Sequence, residues 1–497
     1  MPVLLRAKYL LADPDALGRG VIEDGALVIE GARVEAVGAW RDVSARYRQL
    51  SPLWPGDKMM IIPGLINAHH HGRAFDTRAM GMQDRPLELW LPSFILYPAF
   101  DSYQETLLSA LTQLQSGITS SLQAHSDSGP IAGYRARAAA ALTAYDDAGV
   151  RVAFALGHYD QHALSYSDER SFMAHLPKPL AAQLGRYFDP SQLYIATEDY
   201  FALFGELQQH YRGHPRIRLL LNPIGLHWAS PALLARMADG MARYQTGLHA
   251  HLLETRYQRG YAQRTFGKSA AKVLADYGLL GEATSLAHAV YSSAADMALY
   301  AESGVTIVTN PSSNLRLASG LLPLHQLQRL GVRVAIGTDS MSLWGGDDLL
   351  AELSLLQLLQ QQPGHTAPRI DPFEALRMAT SAGARALGMG EVGKLLPGYQ
   401  ADVAVISLER CDTAATGTEV VAGALRQLRA SDVRHVMVAG EVLLAHGRLT
   451  RHELNGLRQA LLAQRPTDAK DKHAFLDALI PHLIAHYQAF DSPMSDV

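Results

Sequence analysis

The sequence predicts an α/β protein: a (β/α)8 TIM-like barrel with a small β-sandwich built from both chain ends. Three observations predict it. Short continuous apolar runs alternate with longer helical patterns through the middle of the chain, the texture of parallel strands buried on both faces. Glycine-punctuated, strand-like runs stand near the two ends. Metal-compatible side chains recur where the central apolar runs stop, the place where such barrels keep their active sites.

The N-terminal runs are residues 26–30 and 33–38, and similar runs return at 402–406 and 433–438, followed by Gly440-Glu441-Val442. Residues 1–62 plus 391–450 are therefore expected to form one composite sandwich. The central runs are residues 117–122, 150–156, 217–221, 247–251, 305–308 and 332–336. With this many units a closed barrel over 63–390 is favoured over an open sheet. Residues 157–203 make an unusually long connection, expected to cover the site in part. The tail, 451–497, reads as a helical extension, with Leu454, Leu457 and Leu461 on one face and Phe475, Leu479 and Leu483 on another. Its simpler reading is packing on its own chain; the functional one is a lid or the contact of a homodimer.

Composition bounds the rest. Of 497 residues, 48% are hydrophobic and 19% charged, the balance of a soluble globular protein. A net charge of −4 without a basic block leaves no electrostatic footprint for nucleic acid. No apolar run approaches a membrane span, and Met1-Pro2-Val3-Leu4-Leu5-Arg6 is unlike a signal peptide. The single cysteine, Cys411, excludes a disulfide framework and a multi-cysteine metal site, and fits a cytoplasmic protein. Against it stand 21 histidines.

Three familiar motifs fail. Gly388-Met389-Gly390-Glu391-Val392-Gly393 follows a helical pattern instead of a strand; Gly267-Lys268-Ser269 has Ala262 where a P-loop needs glycine; His452-Glu453 has Gly456 where HExxH needs histidine. The histidine constellation is different. After Pro63-Gly64 and residues 65–68 come His69-His70-His71, and alternation on a strand sends His69 and His71 to one face and His70 to the other. His251 ends the run 247–251, with Glu254 three residues on; His288 follows residues 284–287, and Asp339 follows 334–338. Structural histidines would not keep choosing strand ends. Neutral imidazole is the commonest metal ligand.

These segments, with Asn310-Pro311-Ser312-Ser313-Asn314-Leu315 and the closing run Gly393-Lys394-Leu395-Leu396-Pro397-Gly398-Tyr399-Gln400-Ala401-Asp402, resemble the amidohydrolase superfamily. The resemblance is to its mononuclear branch, which includes cytosine, guanine and methylthioadenosine/S-adenosylhomocysteine deaminases and the triazine hydrolases. It implies one divalent metal ion on His69, His71, His251 and Asp339. The chemistry of three imidazoles and a carboxylate agrees, with zinc first and iron second. The absence of lysine in residues 217–224 argues against a second metal. Asp339 and His288 are expected to take the proton of an attacking water, and Glu254 to protonate the substrate and its leaving amine.

Trp90 resembles the segment that walls the pocket in that branch, with core packing as its plainer reading. Asn314 is a further substrate-contact candidate. His249 reads as a deeper core residue on the inward face, Cys411 as an inert residue at the sandwich edge, and His125, His158 and His162 as structural or exposed. Where the methylthioadenosine enzymes carry a ribose-gripping glutamate, this chain has Phe100, which disfavours a nucleoside. Their fourth-strand histidine falls near Ile224, and His227, three residues on, is the candidate substitute. The resulting expectation is a metal-dependent hydrolase of non-peptide C–N bonds that deaminates a small planar N-heterocycle. Its rivals are an aryl-urea, amide or triazine hydrolase and, in another class, a non-catalytic metal-binding scaffold.

Overall fold

A single residue, Gly64, separates the two sheets of the molecule, and a Cβ there would lie 2.2 Å from Thr119 Oγ1, so only glycine fits. The computed structural model describes residues 1–54, 56–340, 345–411, 415–464 and 469–491. Before Gly64 run β1 (Val3–Leu11), β2 (Val21–Glu30), β3 (Arg33–Ala39) and β4 (Met59–Pro63). After it come β5 (Leu65–His70), β6 (Ile118–His125), β7 (Arg151–Gly157), β8 (Ile217–Asn222), β9 (Leu248–Leu252), β10 (Thr284–His288), β11 (Thr306–Thr309) and β12 (Arg333–Ile336). Then follow β13 (Val403–Ser407), β14 (Val433–Val438), β15 (Glu441–Ala445) and β16 (Arg448–Leu449).

The terminal strands form one sheet in the order β16-β15-β14-β13-β4-β1-β2-β3. The two chain ends meet where β4 pairs antiparallel with β13, Met60 opposite Ile406 and Ile62 opposite Ala404. The central strands β5 to β12 pair in chain order, all parallel, as the (β/α)8 barrel. Helices follow the strands, so both strand faces are buried. Outward residues such as Val152, Phe154 and Leu156 join the main core under the helices. Inward ones, among them Ile66, Ala68, Leu122, Ala153, Leu220 and Ala335, form a second cluster with Ala382 and Ala384 of the helix Ser381–Ala386. That cluster fills the barrel floor and leaves polar strand ends above it.

Closure of the barrel between β12 and β5 falls at the histidine run. The Asp339 N–H donates to the His69 carbonyl at 2.9 Å, and the Thr338 N–H to Asn67 Oδ1 at 3.1 Å. A Cβ on Gly337 would sit 2.6 Å from the His69 oxygen, which is why a glycine stands there. The pairing of β5 with β6 shifts register between Asn67 and His70. Ala68 belongs to the inward cluster, and His69 and His71 also face inward; strict alternation from Ile66 and Ala68 would have sent His70 in. A bulge of this kind re-aims side chains next to active sites.

The long connection contains the helices Glu169–Ala174, Lys178–Tyr187 and Pro190–Leu193. The tail packs on its own chain. Leu461 joins Phe75, Phe100 and Leu108, whereas Phe475, Leu479, Leu483 and Tyr487 of the helix Ala469–Tyr487 join Trp90, Leu96, Leu184 and Tyr166. Residues 465–468 and 492–497 of the predicted extension lie outside the described residues.

Barrel and terminal sheet are joined by a buried ion pair. Arg151 Nε and Nη2 donate to Asp402 at 2.6 and 3.1 Å, and a third Asp402 contact comes from the Ala439 N–H. Removing one partner strands the other charge in the interior. Asp402→Ala is therefore expected to destabilise the protein by about 3–5 kcal/mol, read from urea unfolding, and an unchanged midpoint would contradict that role for the pair.

Candidate active site

A cavity of about 330 Å³ opens at the C-terminal ends of the barrel strands. Its lining includes His71, His251, Glu254, His288 and Asp339; Leu87, Trp90, Leu91 and Phe94 from the segment after β5; Tyr159 and Ala163 from the long connection; and Ile224, Trp228 and Leu317. His69 lies beneath, fully buried.

Backbone carbonyls fix two of the ring tautomers. His71 Nδ1 lies 3.0 Å from Ala124 O, and His251 Nδ1 lies 2.7 Å from Ile224 O. A carbonyl only accepts, so both Nδ1 atoms carry the proton and both Nε2 atoms present lone pairs. Those lone pairs face each other at 3.4 Å. Asp339 Oδ1 stands 3.1 Å from His71 Nε2 and 3.6 Å from His69 Nε2. His69 Nε2 is buried with no hydrogen-bond partner among the described residues. Converging lone pairs and a carboxylate oxygen repel one another unless a cation lies between them. Nitrogens about 2.0–2.1 Å from a tetrahedral ion are about 3.3–3.4 Å apart, so the donor set fits one small divalent cation. Burial holds His69 at about 4, neutral and ready to ligate, and it drives His251 well below the usual imidazole value.

A residue that the sequence reading assigned to the core supports this set. His249 Nε2 lies 2.9 Å from His69 Nδ1, and its own Nδ1 lies 2.8 Å from Ser285 Oγ. The arrangement that leaves the His69 Nε2 lone pair facing the site has His69 Nδ1–H donating to His249 and His249 Nδ1–H donating to Ser285. The signal was present as alternation in His249-Ala250-His251, but the cross-barrel distance that gives it meaning was not. Ser313, also unassigned, donates to Asp339 Oδ2 at 2.7 Å.

Above the donors, His288 Nε2 lies 3.6 Å from Glu254 Oε2 and 3.9 Å from Asp339 Oδ2. His288 Nδ1–H donates to Asn314 Oδ1 at 2.9 Å, leaving Nε2 buried with an open lone pair. Glu254 is 3% exposed, and burial, then the charges of Asp339 and Glu88, push its carboxyl well above the usual value. It accepts from Ser319 Oγ at 3.3 Å, while the nearby Arg256 pairs with Asp491. Five non-glycine residues at these strand ends have left-handed φ: Ile224 (61°), Leu253 (49°), His288 (74°), Ala289 (52°) and Asp339 (56°). Such strain concentrates at functional sites.

Three expectations are corrected. His227 does not reach the cavity: the turn Leu226–Trp228 turns it inward against Tyr166 and presents Trp228 instead. Asn314 faces His288 and not the cavity. Phe100 packs with Phe75 and Leu108 away from the cavity, so it does not occupy a substrate-gripping position. Trp90 does line the cavity, its Nε1 buried without a partner among the described residues. His125 and His158 stack on Tyr134 and Tyr200 outside it.

The model of the Amidohydrolase family matches residues 60–443. The chain belongs to this family. Among similar proteins is the 5-methylthioadenosine/S-adenosylhomocysteine deaminase of Syntrophobacter fumaroxidans, 29% identical over 90% of this chain and 93% of that one. The deaminase of the same name from Nitratidesulfovibrio vulgaris is 29% identical over 93% and 96%. Among solved structures, the zinc complex of the atrazine chlorohydrolase TrzN from Arthrobacter aurescens TC1 covers 93% of this amidohydrolase and 100% of its own chain, with a TM-score of 0.79 and 25% identity. A zinc-bound adenosine deaminase from Xanthomonas campestris shares the fold at a TM-score of 0.75 and 24% identity, over 93% and 97%.

Two outcomes are expected of this amidohydrolase. Elemental analysis should find close to one divalent ion per chain, lost in His71→Ala at unchanged circular dichroism. Because outer hydrogen-bond partners of a ligating imidazole are typically worth about 10–100-fold in metal affinity, His249→Ala should weaken metal binding by about that factor in a competitive chelator titration. Unaltered affinity would leave His249 a packing residue.

Proposed function

We propose that this amidohydrolase deaminates a small planar N-heterocycle, with one zinc ion held by His69, His71, His251 and Asp339; iron is the alternative metal. The carrying observation is the pair of carbonyl-fixed imidazoles facing each other at 3.4 Å beneath a buried Glu254–His288 pair in the same cavity. A divalent ion so held supplies the Lewis acidity that makes water nucleophilic near neutral pH. Everything else falls to the chain. His288 Nε2, its other nitrogen committed to Asn314, accepts the proton of the attacking water. Asp339, steadied by Ser313 and the Ser340 N–H, is the second acceptor facing that position. Glu254, whose carboxyl burial pushes towards the protonated form, gives its proton to the ring nitrogen, takes up the proton that His288 accepted from the water, and passes that one to the departing amine; the hydroxyl proton lost as the new carbonyl forms restores it. Trp90 and Trp228 line the cavity with aromatic surface that suits a planar ring.

The wall supports a compact heterocycle over a nucleoside. Leu87, Leu91, Phe94, Ile224 and Leu317 give it a largely apolar surface. The same wall favours the second reading, a triazine or aryl-urea hydrolase, and ammonia release across a panel of aminopurines, aminopyrimidines, aminotriazines and aryl ureas separates the two. A metal-binding scaffold without activity is disfavoured by the Glu254–His288 pair, which a purely structural ion does not need.

The acid role has its own test. Glu254→Gln keeps shape and hydrogen bonding but cannot give a proton. General acid–base catalysis is worth about 10²–10⁴-fold, so kcat for deamination should fall by about that much at full metal content. A chloro-substituted analogue, whose leaving group needs no proton, should escape most of the loss. Near-normal deamination by the variant would refute the acid role.

A further inference from the structure

Arg73 is the only cation lining the cavity among the described residues, and the reaction outlined above does not use it. It stands two residues beyond His71. Gly72 between them has φ 68°, and a Cβ there would lie 2.5 Å from the Gln123 side chain, so the chain turns sharply as it leaves β5. The turn keeps Arg73 at the cavity, where it also borders a smaller void of about 120 Å³ on the far side of Asp339.

Its guanidinium carbon lies 4.3 Å from the centre of the Phe94 ring and 5.3 Å from that of Tyr97. Stacking uses the face of a guanidinium and leaves its in-plane N–H edges for an acceptor. Among the described residues no acceptor takes them, and Nε is buried without a partner. Of the acidic groups nearby, Asp127 takes Arg137, and Asp76 and Asp84 both take Arg316; Glu105, which accepts from Tyr97 OH at 2.7 Å, feels the Arg73 charge through space but forms no ion pair with it among the described residues. A guanidinium whose N–H edges lack an acceptor is costly where Nε is buried, and the cost is recovered when an anion enters.

We propose that Arg73 selects the substrate by binding a carboxylate carried on the planar ring. The proposal rests on the reading of this cavity as the substrate site of a heterocycle hydrolase. A carboxylate matches the planar fork of guanidinium in charge and shape. Phosphate, with its second charge, would call for more than the one guanidinium that the chain places there.

The test measures binding to the zinc-loaded full-length protein, using 2-naphthoate and its neutral isostere 2-naphthamide as probes. A hydrogen-bonded charge is worth enough to give about 10–100-fold tighter binding of naphthoate. Arg73→Met, which keeps the stem and removes the charge, should bring the two probes to near-equal affinity. Arg73→Gln, which keeps donors without charge, should do the same and serves if the Met variant does not fold. Equal binding of the probes by the parent protein overturns the proposal. So does a naphthoate preference that survives in either variant, since it places recognition on the metal ion, and so does tighter binding of 1-naphthyl phosphate than of naphthoate. Ammonia release plays no part in the readout. A charge preference lost with Arg73 stands even if no heterocycle is deaminated, whereas deamination without that preference removes Arg73 and leaves the function reading intact.

Discussion

The hydrogen bond from the Asp339 N–H to the His69 carbonyl closes the barrel and assembles the site in one step. It joins the strand after residue 333 to the strand before residue 70, so a carboxylate from late in the chain arrives beside imidazoles from its beginning. His71 Nε2 and Asp339 Oδ1 stand 3.1 Å apart because of that seam. The seam has a steric condition, the missing Cβ of Gly337, and a conformational one, the left-handed backbone at Asp339. Asp readily adopts that conformation. Ser313 and the Ser340 N–H hold each oxygen of its carboxylate, so the side chain is oriented by the fold itself.

The same economy governs the imidazoles. Each is oriented by an acceptor from another strand or the loop after it: Ala124 O for His71, Ile224 O for His251 and His249 Nε2 for His69. Ile224 is the least expected, since a β-branched residue at φ 61° is strained. That backbone turn aims one carbonyl at both the N–H and the Nδ1–H of His251. Strain at one residue therefore fixes the direction and tautomer of another, which is the use of strain that a preorganised site requires.

The fold class was legible because buried parallel strands declare themselves locally, as continuous apolar runs with polar residues at one end. The strand-end residues were legible for the same reason, and the structure gathers His69, His71, His251, His288, Glu254 and Asp339 around one point. What was not legible depends on phase or on distance across the barrel. The register shift in β5 lets Ala68 and His69 both face inward, which alternation cannot anticipate. In the turn Leu226–Trp228, one residue of rotation decides that Trp228 and not His227 meets the cavity. Ser313 and Asn314 are neighbours on one short helix, yet one touches Asp339 and the other His288. Arg73 gave no signal, because its direction follows from the backbone angle of Gly72.

Chemistry and recognition come from different parts of this molecule. The donors and proton-handling groups sit at the ends of barrel strands, whose positions are fixed by the seam and the packed floor. The apolar wall comes from the segment around Trp90, the long connection and the loop after β8. The first two of these are held from outside by the tail: Phe475, Leu479 and Leu483 pack in the same cluster as Trp90 and Leu184, and Gly260 lets the Phe490 backbone approach where a Cβ would lie 1.9 Å from its carbonyl oxygen. The wall can therefore be rebuilt without moving a donor, the condition under which one scaffold serves different reactions. Proteins named as deaminases and as a chlorohydrolase share this architecture at 24–29% identity. Arg73 joins the two parts. It follows β5 two residues after His71, and its guanidinium lies over Phe94 and Tyr97 of the wall segment, which pack against the cluster that holds the tail. A charge so placed constrains where on the ring an anionic substituent can sit relative to the reacting carbon, whereas the apolar wall constrains only the ring's size and plane.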